Sequence, residues 1–520
     1  MSSGWRWRCE DLGKLVGVVT SGARSSVVPI RVVKEAIPFV KDEMLVLVDD
    51  MHEDRRFLGA VKSSVKLDIA IDADHLPTSF SPETTLRCST PLMKTYVEIF
   101  GEVTKSGSLE LSFAIPRPGS HVYLVENGPA LAKVLRLPQG LTVGEHKFSR
   151  LVLHLDPRAL DYHIAVVGAT GTGKSRLVKA IVEEVLLKTG YSVIVFDHTG
   201  VDYSDPSRWG RVRAAGIEPK IVDASRIILD PVTVHELMVE KARVPRTLED
   251  HVFFSIVRYI QDRVAQSEGT RAKIDGSTAS SLAQEIERCI EKYFEISKTG
   301  ETLWDFASFL DGMYRYLDDL NARESTKTKL AVLLSLGLGR SFFERYLGSR
   351  NVDIRDLVAE ALDGASRLIV IDMSTEVEYV AKRFIVAQAL RWLWNKVLSE
   401  RRRANVVVVV DEAHNYACQR CDPSVQEIEK TAREGRKWGI GLILASQRIR
   451  DLSADARGNI NTVFFSRLQT YSDYQELRGW IEGAQYMEYT LPLLAPREFF
   501  VAGLANPLRR PVLIKVRSVD

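Results

Sequence analysis

Gly168-Ala-Thr-Gly171-Thr-Gly173-Lys174-Ser175 decides the fold, because it fills every fixed position of the pattern Gly-x-x-x-x-Gly-Lys-Ser/Thr. Its flanks agree with it. Ile164–Val167 reads as a short buried strand, and Ser175–Lys188 as an amphipathic helix stopped near Gly190. Leu177, Val178, Ile181, Val182, Val185 and Leu186 form the apolar face of that helix. Strand, glycine turn and helix N-terminus together make a phosphate cradle. The glycines let backbone N–H groups wrap the anion, and the helix end adds partial positive charge. Lys174 has the reach for the β- and γ-phosphates, and the Ser175 hydroxyl suits Mg2+. The expected nucleotide-binding residues are Gly168, Thr170, Gly171, Thr172, Gly173, Lys174, Ser175 and Arg176, with ATP and Mg2+ as cofactors. A chance glycine-rich turn would lack the strand before it and the helix after it.

Downstream, Val406–Val410 are five consecutive valines followed by Asp411-Glu412. Such a run fits a strand buried on both faces, and its C-terminal end lies where α/β sheets bind ligands. Asp411 is expected to hold hydrated Mg2+ with Ser175, and Glu412 to polarise the attacking water as general base. The competing reading, two acids that merely cap a strand, weakens beside the glycine loop. A further strand, Ile440–Ala445, ends in Ser446-Gln447, where the amide can sense the γ-phosphate or serve only as a turn residue. Asp197 closes the strand Ser192–Phe196 and is either a supporting acid or a structural cap. Thr431-Ala-Arg433-Glu-Gly-Arg436-Lys437 places basic residues before Ile440. A solvated helix end explains them; so does an arginine offered to a neighbouring subunit's γ-phosphate, Arg436 first and Arg433 second, which is worth roughly 10³–10⁵ in rate.

Around this centre the pattern changes three times. Residues 1–125 carry β-branched stretches at Gly13–Thr20, Val27–Val32, Met44–Asp49, Phe57–Ser63, Val65–Ile71, Tyr96–Thr104 and His121–Val125, which predict a small antiparallel barrel or sandwich. Residues 126–149 read as a connector. Strand–turn–helix grammar fills 150–231 and resumes over 351–482, as in a parallel sheet with crossover helices. Between them, 232–350 shows helical periodicity at His235–Val244, Leu248–Gln266, Thr278–Phe294, Thr302–Leu320 and Lys327–Tyr346, a bundle inserted into the α/β core. Residues 483–520 read as terminal strands.

At 520 residues the chain is too long for one ordinary domain, and 45% hydrophobic with 27% charged residues excludes disorder and coiled-coil rods. Seventy basic against 68 acidic residues leave a net charge of +2, so any nucleic-acid surface has to be local. Five cysteines argue against a disulfide framework and for a reducing compartment. No apolar run approaches the ~18 residues a membrane span needs, so the expected localisation is cytoplasmic, with no membrane partner.

Other readings compete for single motifs. Asp411-Glu-Ala-His414 also spells the box of two-lobed helicases, but residues 415–520 are too few for a second full lobe. A single RecA-like lobe needs a neighbouring subunit to complete its site, which implies a ring. His414, Cys418 and Cys421 could ligate zinc, yet a fourth ligand is missing nearby. Arg401-Arg402-Arg403 suits a helix C-terminus better than a DNA contact, Arg448 and Arg450 are the better DNA or interface candidates, and Trp392 and Trp394 suit helix packing.

Taken together, this pattern resembles the HerA family of bacterial and archaeal DNA translocases, in the wider FtsK/HerA group of P-loop ATPases. The resemblance rests on the barrel, His163-Ile-Ala-Val-Val-Gly168 through Ser175, the helical insert, Val-Val-Asp411-Glu412-Ala-His414, and the run Glu434-Gly-Arg436-Lys437-Trp-Gly-Ile-Gly-Leu-Ile-Leu-Ala-Ser446-Gln447-Arg448. It implies a RecA-like P-loop ATPase core, a homohexamer around double-stranded DNA, and a NurA-type nuclease recruited by the barrel for end resection of double-strand breaks. One segment departs from the family: Asp197-His-Thr-Gly200-Val-Asp202-Tyr203 stands where Asp-x-His-Gly-Glu-Tyr is typical, which clouds any role for Asp202. A motor for protein substrates, a conjugation-type secretion ATPase and a nucleotide-gated scaffold are the alternatives, separated from a DNA motor by DNA-stimulated ATP hydrolysis.

Overall fold

The computed structural model describes residue 5 and residues 7–67, 92–269, 279–301, 303–343, 347–348 and 350–519. The chain begins with β1 (Gly13–Val19), β2 (Val27–Val32), β3 (Leu45–Asp50), β4 (Arg55–Leu67), β5 (Leu92–Val103), β6 (Leu109–Glu110) and β7 (His121–Val125). They hydrogen-bond in the order β2-β1-β7-β3-β4-β5-β6, and β2 pairs again with β5. Six strands therefore close into a barrel, which removes its edges, and β6 extends the β5 side. Val16, Val28, Val46, Phe57, Val61, Val97 and Val122 fill the interior.

One expectation is corrected here. Phe57–Ser63 and Val65–Ile71 are not two strands but one, β4, whose pairing with β5 shifts register between Lys62 and Val65. Ser63 takes φ 51° at that bulge. A polar bulge looks like a turn in local sequence, but the ladder continues on both sides of it. Residues 68–71 of the expected strand lie outside the described residues, as do the helix ends expected at Thr278, Thr302 and Tyr346.

After the barrel come α1 (Gly128–Leu135), β8 (Leu141–His146), β9 (Val152–Leu155), β10 (Ile164–Val167), α2 (Lys174–Lys188), β11 (Ser192–Asp197) and β12 (Pro219–Asp223). Helices α3 (Pro231–Ala242), α4 (Arg246–Ser267), α5 (Ala279–Lys298), α6 (Phe306–Asp319) and α7 (Glu324–Gly337) follow in succession. An aromatic cluster holds them, with Tyr259 stacked on Trp304 at 5.3 Å and edge-on to Phe309 at 5.3 Å. The helix expected to run through Lys327–Tyr346 stops at Gly337, where Gly339 adopts φ +65°. The remainder is α8 (Ile354–Asp363), β13 (Leu368–Asp372), α9 (Tyr379–Glu400), β14 (Val406–Val410), α10 (Ser424–Trp438), β15 (Ile440–Ser446), β16 (Thr462–Phe465), α11 (Tyr471–Trp480), β17 (Glu498–Gly503) and β18 (Val512–Val516).

These elements form two compact units: Met1–Gly190 with Glu412–His414 and Gly441–Asp520, and Tyr191–Asp411 with Asn415–Ile440. In the second unit β12, β13, β11 and β14 lie side by side in that order, all parallel. In the first unit the order is β15-β10-β16-β17-β18-β8-β9. There β10 runs parallel to β15 and β16, while β17, β18, β8 and β9 alternate in direction. Residues 126–149 thus supply α1 and a sheet strand, β8, which pairs with β18 and, through the Thr142 N–H, donates 2.9 Å to Glu184 of α2.

Inside the first unit, a buried charge cluster fastens the barrel to β8. Lys62 Nζ lies 2.5 Å from Glu43 Oε2 and 3.7 Å from Glu98 Oε2, and His146 Nε2 meets the Glu43 carbonyl oxygen at 3.0 Å. Burial pushes the Glu43 carboxyl up to about 7, against the pull of Lys62, and pushes His146 down to about 4.

Candidate nucleotide site

All four residues of β10 are fully buried between parallel neighbours, so the chain can turn only at the strand's C-terminal end. The loop that follows is held from several sides. The Ala169 N–H donates to the Arg467 carbonyl at 2.7 Å, the Thr172 hydroxyl to the Ala169 carbonyl at 2.8 Å, and the Arg497 N–H to the Thr172 carbonyl at 2.8 Å. Gly173 sits at φ +94°, a conformation that L side chains rarely adopt, and directly precedes α2. Lys174 is buried, and its ammonium donates to the Gly168 carbonyl at 3.0 Å and the Ala169 carbonyl at 3.4 Å. Ser175 is half-buried and Arg176 exposed on the first turn of the helix.

A hydrogen-bonded line leads away from this loop. The Thr170 hydroxyl donates 2.8 Å to Gln447 Oε1, and Gln447 Nε2 donates 2.6 Å to Glu412 Oε1. The amide orientation follows from its partners, since only its NH2 can serve a carboxylate. Glu412 Oε2 lies 3.3 Å from His414 Nδ1. Burial holds the His414 imidazole below its ordinary value, while Glu412 pulls it upward. Glu412 adopts φ 47°, an uncommon backbone for a non-glycine residue. Thr170, Lys174, Glu412 and Gln447 are thereby brought together within the first unit.

Asp411, Asp197, Arg433 and Arg436 belong to the second unit. Asp411 is buried and its N–H donates 3.2 Å to the Phe196 carbonyl. Arg433 and Arg436 are exposed on the C-terminal half of α10. Asp197 is spent on its own loop: its carboxylate accepts from the N–H groups of Gly200, Tyr203 and Ser204 and from the hydroxyls of Ser204 and Thr199, at 2.8–3.4 Å. Of its two readings, the structural cap is what the geometry favours. Asp202 lies on the same loop, 3.9 Å from Arg208. Buried Tyr416 donates or accepts at His198 Nδ1, 2.8 Å away, and burial with the Asp411 charge raises its hydroxyl pKa.

The other motifs resolve locally. Cys418 and Cys421 are joined in a disulfide, so their sulfurs are not zinc ligands. Arg402 pairs with Asp363 and Glu400 at the end of α9, Arg448 pairs with Asp451, and Arg450 lines a surface cleft with Arg457 and Trp480. Trp394 is buried and donates to Thr431 Oγ1 at 2.9 Å, while Trp392 lies 5.4 Å from the Arg355 guanidinium. Two contributors went unread in the sequence. His414 lies 3.3 Å from Glu412, and Arg497 touches the glycine loop from a strand start more than three hundred residues away. The Arg497 contact has no local signal.

Among the described residues no cluster of three or more His, Cys, Asp or Glu side chains could hold a metal alone. Mg2+ takes one or two protein oxygens and completes its shell with phosphate and water. The Ser175 hydroxyl is an oxygen donor of that kind, and so, in the other unit, is the Asp411 carboxylate.

Residues 141–393 match the family model described as the central domain of helicase HerA. A protein named a probable helicase in Methanocaldococcus jannaschii is 25% identical over 485 residues, covering 90% of this chain and 85% of its own. The probable DNA double-strand break repair helicase HerA of the same organism is 24% identical over 460 residues, 81% of this chain and 85% of that one. The DNA double-strand break repair helicase HerA of Sulfolobus acidocaldarius is 23% identical over 372 residues, 71% and 67% of the two chains. Among solved structures, VirB4 of Thermoanaerobacter pseudethanolicus superposes with a TM-score of 0.49 at 16% identity, over 74% of this chain and 97% of that one. Among the described residues, no helix is long and apolar enough to cross a membrane. With a complete phosphate loop and an acid–amide line beside it, the chain is similar to helicase HerA over its central domain and to these helicase-named relatives over most of its length.

Proposed function

We propose that this protein is an ATP-driven DNA translocase or helicase that works as a homohexameric ring in double-strand break end resection. The observation that carries the reading is the line from Thr170 through Gln447 to Glu412, which sets a carboxylate beside the phosphate loop. Lys174 and the loop N–H groups bind the β- and γ-phosphates, and Ser175 with Asp411 holds Mg2+, which neutralises phosphate charge when bound. Glu412 takes the proton of the attacking water through the oxygen that Gln447 leaves open. Gln447 keeps that carboxylate aligned and, through Thr170, reports the state of the loop to it. Neutral His414 beside Oε2 leaves Glu412 able to act as a base. Arg436, with Arg433 as second choice, completes the pocket of a neighbouring subunit. Relatives named for double-strand break repair support double-stranded DNA as the track, and the barrel is the module that recruits a NurA-type nuclease.

The test is ATP hydrolysis with and without duplex DNA. Lys174→Ala should abolish turnover, and unchanged hydrolysis would remove the site assignment. Turnover indifferent to DNA would favour a protein motor or a nucleotide-gated scaffold. Mixing Arg436→Ala with Lys174→Ala subunits should restore part of the activity, because each mixture contains pockets with both an intact loop and an intact arginine. Absence of rescue would return Arg436 to the solvated helix end.

A further inference from the structure

A cleft of about 350 Å3 is lined by Thr142, Glu145, Val152, Arg497, Lys515 and Arg517, and Arg497 also contacts the glycine loop. Arg497 joins the two features. Its N–H donates to the Thr172 carbonyl, its own carbonyl accepts from the Val516 N–H at 2.9 Å, and its Cγ would lie 3.3 Å from a β-carbon placed on Gly173. It holds φ 69° at the start of β17, where a glycine would sit without strain. Several other arginines share that backbone conformation, but this one abuts the phosphate loop.

The loop is thus touched at two places. Thr170 meets the Gln447–Glu412 line, which marks the γ-phosphate end, and Thr172–Gly173 meets Arg497. Arg497 therefore sets the cleft beside the phosphate loop at Thr172–Gly173. The volume falls within the roughly 300–1,000 Å3 of small-molecule sites. The charges in the cleft divide by use: Arg517 is committed to Glu183 of α2 at 2.6 Å, whereas the Arg497 and Lys515 side chains have no hydrogen bond or ion pair among the described residues. A guanidinium plane stacks on aromatic faces, and Glu145 is an acceptor for a ring amino group.

We propose that this cleft receives the nucleoside of the bound triphosphate, with the Arg497 guanidinium stacked on a purine ring and Glu145 facing its edge. The proposal rests on the ATPase reading above and assigns the part of the substrate that the phosphate loop does not see. It predicts that base recognition and phosphate recognition separate.

Titration calorimetry with MgATP and with magnesium tripolyphosphate, which lacks a nucleoside, tests it. In the wild type both should bind, MgATP more tightly. Arg497→Gly keeps the left-handed backbone and should leave the melting temperature and tripolyphosphate affinity unchanged while weakening MgATP about tenfold. Arg497→Lys, without the planar fork, should recover only part of the loss. Equal weakening of both ligands would make Arg497 a phosphate contact or a loop support and overturn the proposal, as would an unchanged MgATP affinity. If the wild type bound neither ligand, the phosphate-loop assignment itself would fall.

Discussion

Asp197 and Glu412 occupy similar places: each stands at the C-terminal end of a fully buried parallel strand, Asp197 closing β11 and Glu412 one residue beyond Asp411 after β14. Their surroundings differ. Asp197 accepts five hydrogen bonds from its own loop, which leaves little lone-pair capacity for a substrate. Glu412 accepts one from Gln447, and its Oε2 accepts none among the described residues. Position at a strand tip therefore nominates an acid, and the count of donors already satisfied decides between architecture and chemistry.

Substitution at each site should split along that line. The largest effect is expected for Glu412→Gln, with turnover reduced roughly 10²–10⁴-fold while ATP binding and melting temperature hold. Normal turnover would move the base elsewhere. Next comes Asp197→Asn, which turns acceptor into donor within a buried loop and should cost about 3 kcal/mol of stability, read as a lower melting temperature, with hydrolysis per folded molecule retained. Should Asp197→Asn instead match the kinetic loss of Glu412→Gln with its fold intact, the contrast between the two acids would collapse. The smallest effect is a pH signature at His414. Because burial lowers its pKa, the neutral imidazole's contribution is full above the ordinary value of about 6.5 and is lost as pH falls towards the depressed one. The melting-temperature advantage of wild type over His414→Asn should thus shrink by about one to a few degrees on acidification, and a constant gap would show that burial does not depress the imidazole.

What the sequence revealed follows the reach of its signals. The glycine loop, its flanking strand and helix, and the five-valine strand were legible because each is a contiguous pattern with its own chemistry. Val27–Val32, Ile164–Val167 and Val406–Val410 coincide with strands to the residue. Leu141–His146 passed for connector because β8 is defined by pairing with β18, and Gly144 interrupts its apolar run. Ser63-Ser64 read as a turn because a bulge and a turn share polar composition. The acceptor role of Asp197 stayed hidden, since its donors are backbone groups that any residues could supply. Arg497 is the extreme case: no spacing rule links it to Thr172.

The unit that carries the phosphate loop is assembled from separated pieces, because β8 pairs with β18 and the Arg497 N–H secures Thr172. On the ribosome, residues 191–411 emerge complete while the sheet behind the loop still lacks its last members. The loop therefore gains its Arg497 support, and the sheet its β8–β18 pairing, only after residues 497–516 have been translated.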